Sequence, residues 1–289
     1  MSMHRLKHWI LAAGVAAILA PAAYAQKEAA AKGPSISKAV AKQVKTAQDA
    51  IKKEKWADCV AALQSTEAVA DKPPYDVFAV AELLGFCAAR NGDTAGAEAA
   101  FSKGLEAGFL DDANRLIRYK QLLQLNYNLK AYERAAGFGE QAIAAGNTEE
   151  PVALLTAQSY YLLNDFKRTT GFIDKWLAAL QSRGEKPAEI ALQLYVSSCS
   201  KLDDDTCILK ALEKQLEFHP RPETPGNITL VLLRNASEGN TLNVFRYAFE
   251  AGGMRRGEDY TEMAQLSIEK GLPGEALAVV EAGIAANVF

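Results

Sequence analysis

The sequence predicts an all-α fold: a right-handed superhelical solenoid of about seven degenerate helical hairpins. Three observations predict it. Apolar residues recur at helical spacing, not strand spacing, along almost the whole chain. Turn signals interrupt them at intervals of about 31 to 40 residues. Small residues return at Gly85, Ala97, Ala135, Ala157, Ala264 and Ala276, where the helices of one hairpin cross closely and a larger side chain would push them apart. Trp56, Phe101, Tyr132, Phe166 and Trp176 suit the wider gaps, and a 49% hydrophobic content supplies material for a continuous core.

In chain order, residues 1–25 read as a secretory signal peptide. Arg5 and Lys7, beside His4 and His8, give a positive start, Trp9 to Ala20 an apolar run, and Ala23-Tyr24-Ala25 an A-x-A cleavage signature. The run is about a dozen residues against the roughly 20 needed to span a bilayer, which favours cleavage after Ala25 over an anchor. Residues 26–35 form an Ala- and Lys-rich flexible tail ending near Gly33-Pro34, and the solenoid is expected over 36–289.

Ile36, Val40, Val44, Ala47 and Ile51 share one face of the first helix. After a break at Lys53 to Lys55, Trp56, Val60, Leu63 and Val69 make the second. The second hairpin spans 75–90 and 94–107, with Gly92-Asp93 as a tight turn and Asp93 as N-cap. The third pairs 113–127 with 131–145, and the fourth pairs 150–163 with 166–181 about an Asn164-Asp165 turn. The fifth runs over 188–218 and turns at Asp203-Asp204-Asp205. A Pro-rich break covers 220–226, followed by a weak sixth hairpin at 228–236 and 242–251. The seventh recovers the pattern through Met263-Ala264, Gly271, Ala276 and Gly283. The chain stops at Asn287-Val288-Phe289 without a polar capping helix, from which we expect either a covered last face or a natural chain that continues past Phe289.

The four cysteines meet an oxidising compartment if the leader directs export. Cys59 and Cys87 lie equally far either side of residue 73, where Pro73-Pro74 breaks two helical patterns, and Cys199 and Cys207 flank Asp203 in the same way. Antiparallel helices turning there bring each pair level, so disulfides Cys59–Cys87 and Cys199–Cys207 are expected; buried thiols used as small packing residues are the alternative.

The chemistry-bearing residues point away from catalysis. Removal of the leader leaves His219 as the only histidine, in a Phe218-His219-Pro220 helix end where a cationic ring suits the last carbonyls. Asp203 to Asp205 lack the alternating ligands, central Gly and distal Glu of a calcium loop and read as a turn that caps the next helix. No phosphate loop, dinucleotide fingerprint, H-E-x-x-H or G-x-S-x-G is present, so we expect no enzyme, no cofactor and no metal site. The formal charge of −3 becomes about −5 once Arg5 and Lys7 leave, which disfavours nonspecific nucleic-acid binding.

Two surfaces are candidates for a protein partner. Lys38, Lys42, Lys45 and Lys52 form a stripe on the first helix, within a 26–56 segment near +5 while the remainder is near −10. A solvated capping face would carry the same stripe. In a solenoid the first helix of each hairpin lines the inner face, placing Arg90, Lys120, Gln124, Tyr127, Gln158 and Tyr161 where they could grip an extended peptide, although ordinary solvated residues look alike.

The block Leu84-Gly85, Gly92-Asp93, Ala97, Phe101 and Gly104-Leu105 matches the spacing of one tetratricopeptide-repeat unit, whose known period is about 34 residues. Asp259-Tyr260-Thr261-Glu262-Met263-Ala264-Gln265-Leu266 with Gly271-Leu272-Pro273-Gly274-Glu275-Ala276 resembles a group of exported bacterial tetratricopeptide-repeat proteins often associated with TonB energy-transduction systems. Lys55-Trp56-Ala57 and Gly184-Glu185-Lys186-Pro187 are similar too. The resemblance implies a periplasmic location and a partner in envelope transport, such as TonB-system components, and brings no catalytic residues. The expected function is a noncatalytic periplasmic protein–protein interaction scaffold with no transmembrane anchor after cleavage. The alternatives are a peptide- or small-ligand-binding superhelix, or a helical accessory domain of a glycan-processing enzyme.

Overall fold

The computed structural model describes residues 34–289, so the signal peptide and most of the tail lie outside the described residues. The described residues form fourteen α-helices and no strand. They divide into two compact bodies, one through Leu129 and one from Lys130 onward. The first holds α1 (Lys38–Lys52), α2 (Trp56–Gln64), α3 (Pro74–Arg90), α4 (Thr94–Glu106) and α5 (Asp112–Asn128). The second holds α6 (Tyr132–Ala144), α7 (Glu150–Leu162), α8 (Phe166–Ser182), α9 (Glu189–Lys201), α10 (Asp205–Phe218), α11 (Thr224–Arg234), α12 (Thr241–Glu250), α13 (Gly257–Glu269) and α14 (Pro273–Ala285). Within each body every helix packs on its neighbours in sequence, and α9 also reaches α7.

One turn builds most of the hairpins. A residue with positive φ sits just before the N-cap residue of the second helix: Glu54, Gly92, Asn164, Asp203 and Gly271 take φ of 52°, 80°, 59°, 53° and 73°. The left-handed conformation costs glycine nothing and asparagine or aspartate little, which explains Gly92, Asn164, Asp203 and Gly271. The next residue caps the helix where it is acidic: Asp93 accepts from Gly96 N at 2.8 Å, Asp165 from Arg168 N at 2.9 Å and Asp204 from Cys207 N at 3.0 Å. The aspartate run at 203–205 is thus a turn and a cap.

Sequence boundaries and structure differ in two places. The second helix, expected to reach Val69, ends as α-helix at Gln64 and tightens into a 3-10 turn over Ser65–Ala68, with the Thr66 hydroxyl donating to Leu63 O at 2.6 Å. The Pro-rich break is shorter than 220–226, because α11 starts at Thr224 and takes Pro225 and Gly226 into its first turn. Proline's missing N–H has no helical partner there, so it starts this helix and does not interrupt it.

Packing in the first body explains the small residues. A Cβ on Gly85 would lie 2.4 Å from Phe101 Cδ1, so the absent side chain is what lets α4 bring its aromatic ring against α3. The ring also carries the Arg118 guanidinium, 3.7 Å from its centroid, and Arg118 is ion-paired to Glu82. The Glu82 carboxylate lies over Gly104, where a Cβ would meet Oε1 at 2.4 Å. Two glycines, one ring and one ion pair therefore lock α3, α4 and α5 together. Replacing Gly85 with leucine is expected to cost about 1–3 kcal/mol through overpacking. Calorimetry would show it as a lowered transition, and an unchanged melt would contradict the close crossing.

Two disulfides join cysteines of which Cys59, Cys87 and Cys199 are buried and Cys207 is half-buried. Cys59 pairs with Cys87 between α2 and α3, and Cys199 with Cys207 between α9 and α10. Cys59 and Cys87 lie within the core built by Val40, Val44, Ala47, Leu63, Val80 and Leu83. Buried Asp76 of α3 accepts the Ser37 backbone N–H at 2.9 Å and the Ser37 hydroxyl, fixing the start of α1.

Candidate partner-binding surfaces

The α1 helix buries Val40, Val44, Ala47 and Ala50 and leaves Lys38, Lys42, Lys45 and Lys52 exposed on the opposite side. Lys52 approaches Asp49 at 3.3 Å, whereas Lys38, Lys42 and Lys45 make no ion pair with any described residue. Three ammonium groups one helical turn apart on an exposed face form a preset cationic edge held by the α1–α2–α3 core.

The expected peptide-gripping residues fall into both bodies, and each has its own neighbours. Arg90 ends α3 with its guanidinium 5.0 Å from the Trp56 ring centroid, and Trp56 meets Phe86 edge-on at 5.8 Å. On α5, Gln124 is exposed and donates to Asn128 Oδ1 at 3.0 Å, while Lys120 and Tyr127 are half-buried. On α7, Gln158 and Tyr161 are half-buried. The Tyr161 hydroxyl lies 2.9 Å from Ser197 Oγ of α9, and its ring packs edge-on to Phe166 at 5.3 Å. Tyr161 therefore contributes to the contact between successive hairpins.

The structure adds two features that the sequence reading did not single out. A cavity of about 540 Å³ opens between α6 and α8 over α7, with Ile143, Ala153, Phe172 and Trp176 as its apolar wall and Lys167 and Lys175 among its rim residues. Beside it, Arg168 donates to Glu133 at 2.7 and 2.9 Å and to Asp165 at 2.6 Å. The guanidinium bonds hold the Glu133 carboxyl below its ordinary range, and the Arg168 backbone N–H, with the guanidinium, does the same for Asp165. Burial, with a hydrogen bond to Glu140, pushes the Tyr160 hydroxyl well above its usual range, so it stays neutral. The second feature is the exposed side of α13 and α14, where Ile268, Leu277 and Ile284 stand in solvent.

Most ion pairs between successive hairpins share a direction. Glu82 of α3 meets Arg118 of α5, Glu133 of α6 meets Arg168 of α8, and Asp174 of α8 meets Lys210 of α10. Glu189 of α9 likewise meets Arg221 ahead of α11, and Asp205 of α10 meets Arg234 of α11. In each the carboxylate comes first in the chain and the cation from the following unit; Glu275 with Arg246 runs the other way.

No family model matches the chain, and no curated protein matches it. Solved structures do. The chain is similar to a tetratricopeptide repeat protein from Parabacteroides merdae at 10% identity, with 86% of this chain and 94% of that one covered and a TM-score of 0.40. It is similar to the C-terminal part of a TPR repeat-containing protein from Cytophaga hutchinsonii at 12% identity, covering 82% and 94%, with a TM-score of 0.39. A third is YrrB, described as a TPR protein with an unusual peptide-binding site, at 17% identity, 65% and 92% coverage and a TM-score of 0.34.

Reactive chemistry is sparse. Among the described residues no group of three or more His, Cys, Asp or Glu side chains is placed to hold a metal ion. His219 differs from expectation. Its Nε2 lies 2.8 Å from Pro187 O, ahead of α9, and so ties the end of α10 to the preceding loop in place of its own last carbonyls. No helix among the described residues is long and apolar enough to cross a membrane.

Proposed function

We infer that this protein is a noncatalytic scaffold of the bacterial periplasm that recruits a protein partner, within an envelope transport assembly of the TonB type. The α1 face carries the reading: Lys38, Lys42 and Lys45 are exposed, close together and without ion pairs among the described residues, on a chain that is otherwise acidic. Such an edge raises the encounter rate with an acidic partner surface and fixes its register more than it adds to affinity. The leader sequence and two disulfides support an oxidising compartment.

Crosslinking in the native cell envelope tests this, with a Lys38→Glu, Lys42→Glu, Lys45→Glu variant alongside. Envelope transport components are expected with the unaltered chain, and their recovery should drop by about tenfold or more with the variant. Recovery of no protein above background from either form would overturn the scaffold.

The cavity between α6 and α8 favours a second reading, a peptide- or small-ligand-binding protein, because its volume and apolar wall suit a small ligand. A ligand-dependent rise in melting temperature that is lost in Trp176→Ala would select it.

A further inference from the structure

The cavity between α6 and α8 is kept open by a missing side chain. Gly171 lies on its rim in the middle of α8, with open space where a Cβ would sit. Neither a close crossing nor a positive φ asks for glycine there, and glycine is the poorest helix former after proline. Seven residues after the positive-φ residue of the turn, α2, α4, α10 and α14 carry Ala61, Ala99, Lys210 and Ala278, whereas α6 and α8 carry Gly137 and Gly171. The two helices that flank the cavity are the two that lack a side chain at this place.

The lining decides which occupant fits. Phe172 and Trp176, one turn apart on α8, form an apolar wall with Ile143 of α6 and Ala153 of α7. On the neighbouring row of α8, Lys167 and Lys175 stand one turn either side of Gly171, about 12 Å apart along the helix axis. Both are exposed and form no ion pair with any described residue. Ammonium groups on four-carbon stems can converge from there on one anion over the glycine. The other two rim cations are engaged, Arg168 with Glu133 and Asp165, and Arg183 with Glu185. Of the rim carboxylates, Glu140 is bonded to the Tyr160 hydroxyl and Glu149 is the N-cap residue of α7. The Arg168–Glu133 pair also ties α8 to α6 near their first turns and closes the cavity at that end, so a long chain cannot thread along it.

We propose that this cavity binds a small free monocarboxylate with an aromatic or branched aliphatic body. The body lies against Phe172 and Trp176, and the carboxylate sits over Gly171 between Lys167 and Lys175, where two charge-assisted hydrogen bonds hold it. This assignment rests on the ligand-binding reading of the cavity and is independent of the α1 lysines.

Isothermal titration of the full chain with a panel of phenyl, indolyl and branched-chain monocarboxylates, each beside its amide, tests this. At least one acid should bind saturably, about tenfold or more tightly than its amide. Lys167→Gln with Lys175→Gln should bring the acid down to the affinity of the amide and leave the amide unchanged. Gly171→Leu should abolish binding of both while melting at the same temperature or higher, since a good helix former replaces an exposed glycine. That combination separates a filled cavity from a lost fold. No saturable binding by any member would overturn both the carboxylate site and the ligand-binding reading. Equal binding of acid and amide would overturn the carboxylate site alone, and binding that survives Gly171→Leu would overturn its location. N-acetylated tripeptides ending in phenylalanine complete the panel: if these bind through Lys167 and Lys175 and the free acids do not, the occupant is a chain terminus and the free ligand is overturned.

Discussion

In Arg118→Met, the unfolding free energy at neutral pH is expected to fall by about 3–5 kcal/mol, the usual cost of leaving one partner of a buried ion pair alone. Arg118 and Glu82 are both largely buried in the side chain, and the guanidinium is also stacked on Phe101. Burial already raises the Glu82 carboxyl above its ordinary 4.5, and Arg118 offsets part of that rise. Without Arg118 the offset is lost and the folded-state value climbs further. The native state then holds a proton that the unfolded chain has released, so the variant loses stability as pH rises from the unfolded value through the folded one. The deficit should accordingly be smaller near pH 4.5 than at pH 7. Glu82→Gln together with Arg118→Met should recover part of the loss, since no lone charge remains. Chemical denaturation at two pH values measures all three. A deficit independent of pH and unrelieved in the double variant would assign the effect to the lost stacking on Phe101.

That ion pair shows where sequence reading stops. Helices were legible because turn chemistry punctuates them: Gly92-Asp93, Asn164-Asp165 and Asp203-Asp204 mark their turns with residues that tolerate positive φ or cap a helix. Gly85 was legible as a close crossing because it recurs as alanine at Ala157 and Ala264. Pro225 was misread because the same residue breaks a helix interior and starts a helix, and only its position separates the two. Glu82 and Arg118 are each ordinary helix residues, and only their separation of one repeat length hints that they meet.

The surfaces divide for the same reason. The α1 lysines follow from helix periodicity alone, so the sequence places them on one face. Tyr161 is different, because its engagement depends on Ser197 in the next hairpin, and local spacing carries no information about that neighbour. The α13–α14 face escaped notice because Ile268, Leu277 and Ile284 look like core residues in a periodic pattern. Their exposure emerges only from the three-dimensional structure.

Changing Cys59 and Cys87 together to alanine is expected to cost about 3–4 kcal/mol, against about 2.5 kcal/mol for Cys199 and Cys207, because the larger loop loses more entropy in the unfolded chain. The sequence separations are 28 and 8 residues. Alanine is the suitable replacement because Cys59, Cys87 and Cys199 are buried and serine would leave a hydroxyl there to satisfy. In a chain of stacked hairpins such a loss stays largely local, since stability is the sum of each unit and its immediate interfaces. Hydrogen exchange should therefore quicken first in α1 to α3 for one variant and in α9 and α10 for the other. The first of these carries a functional consequence. The lysines of α1 are positioned by a core containing Cys59 and Cys87, so opening that bridge should weaken recovery of a partner held there. Reactive thiols on the unreduced, folded protein would remove the premise, and equal exchange in both regions would show that the two bridges act on one cooperative unit.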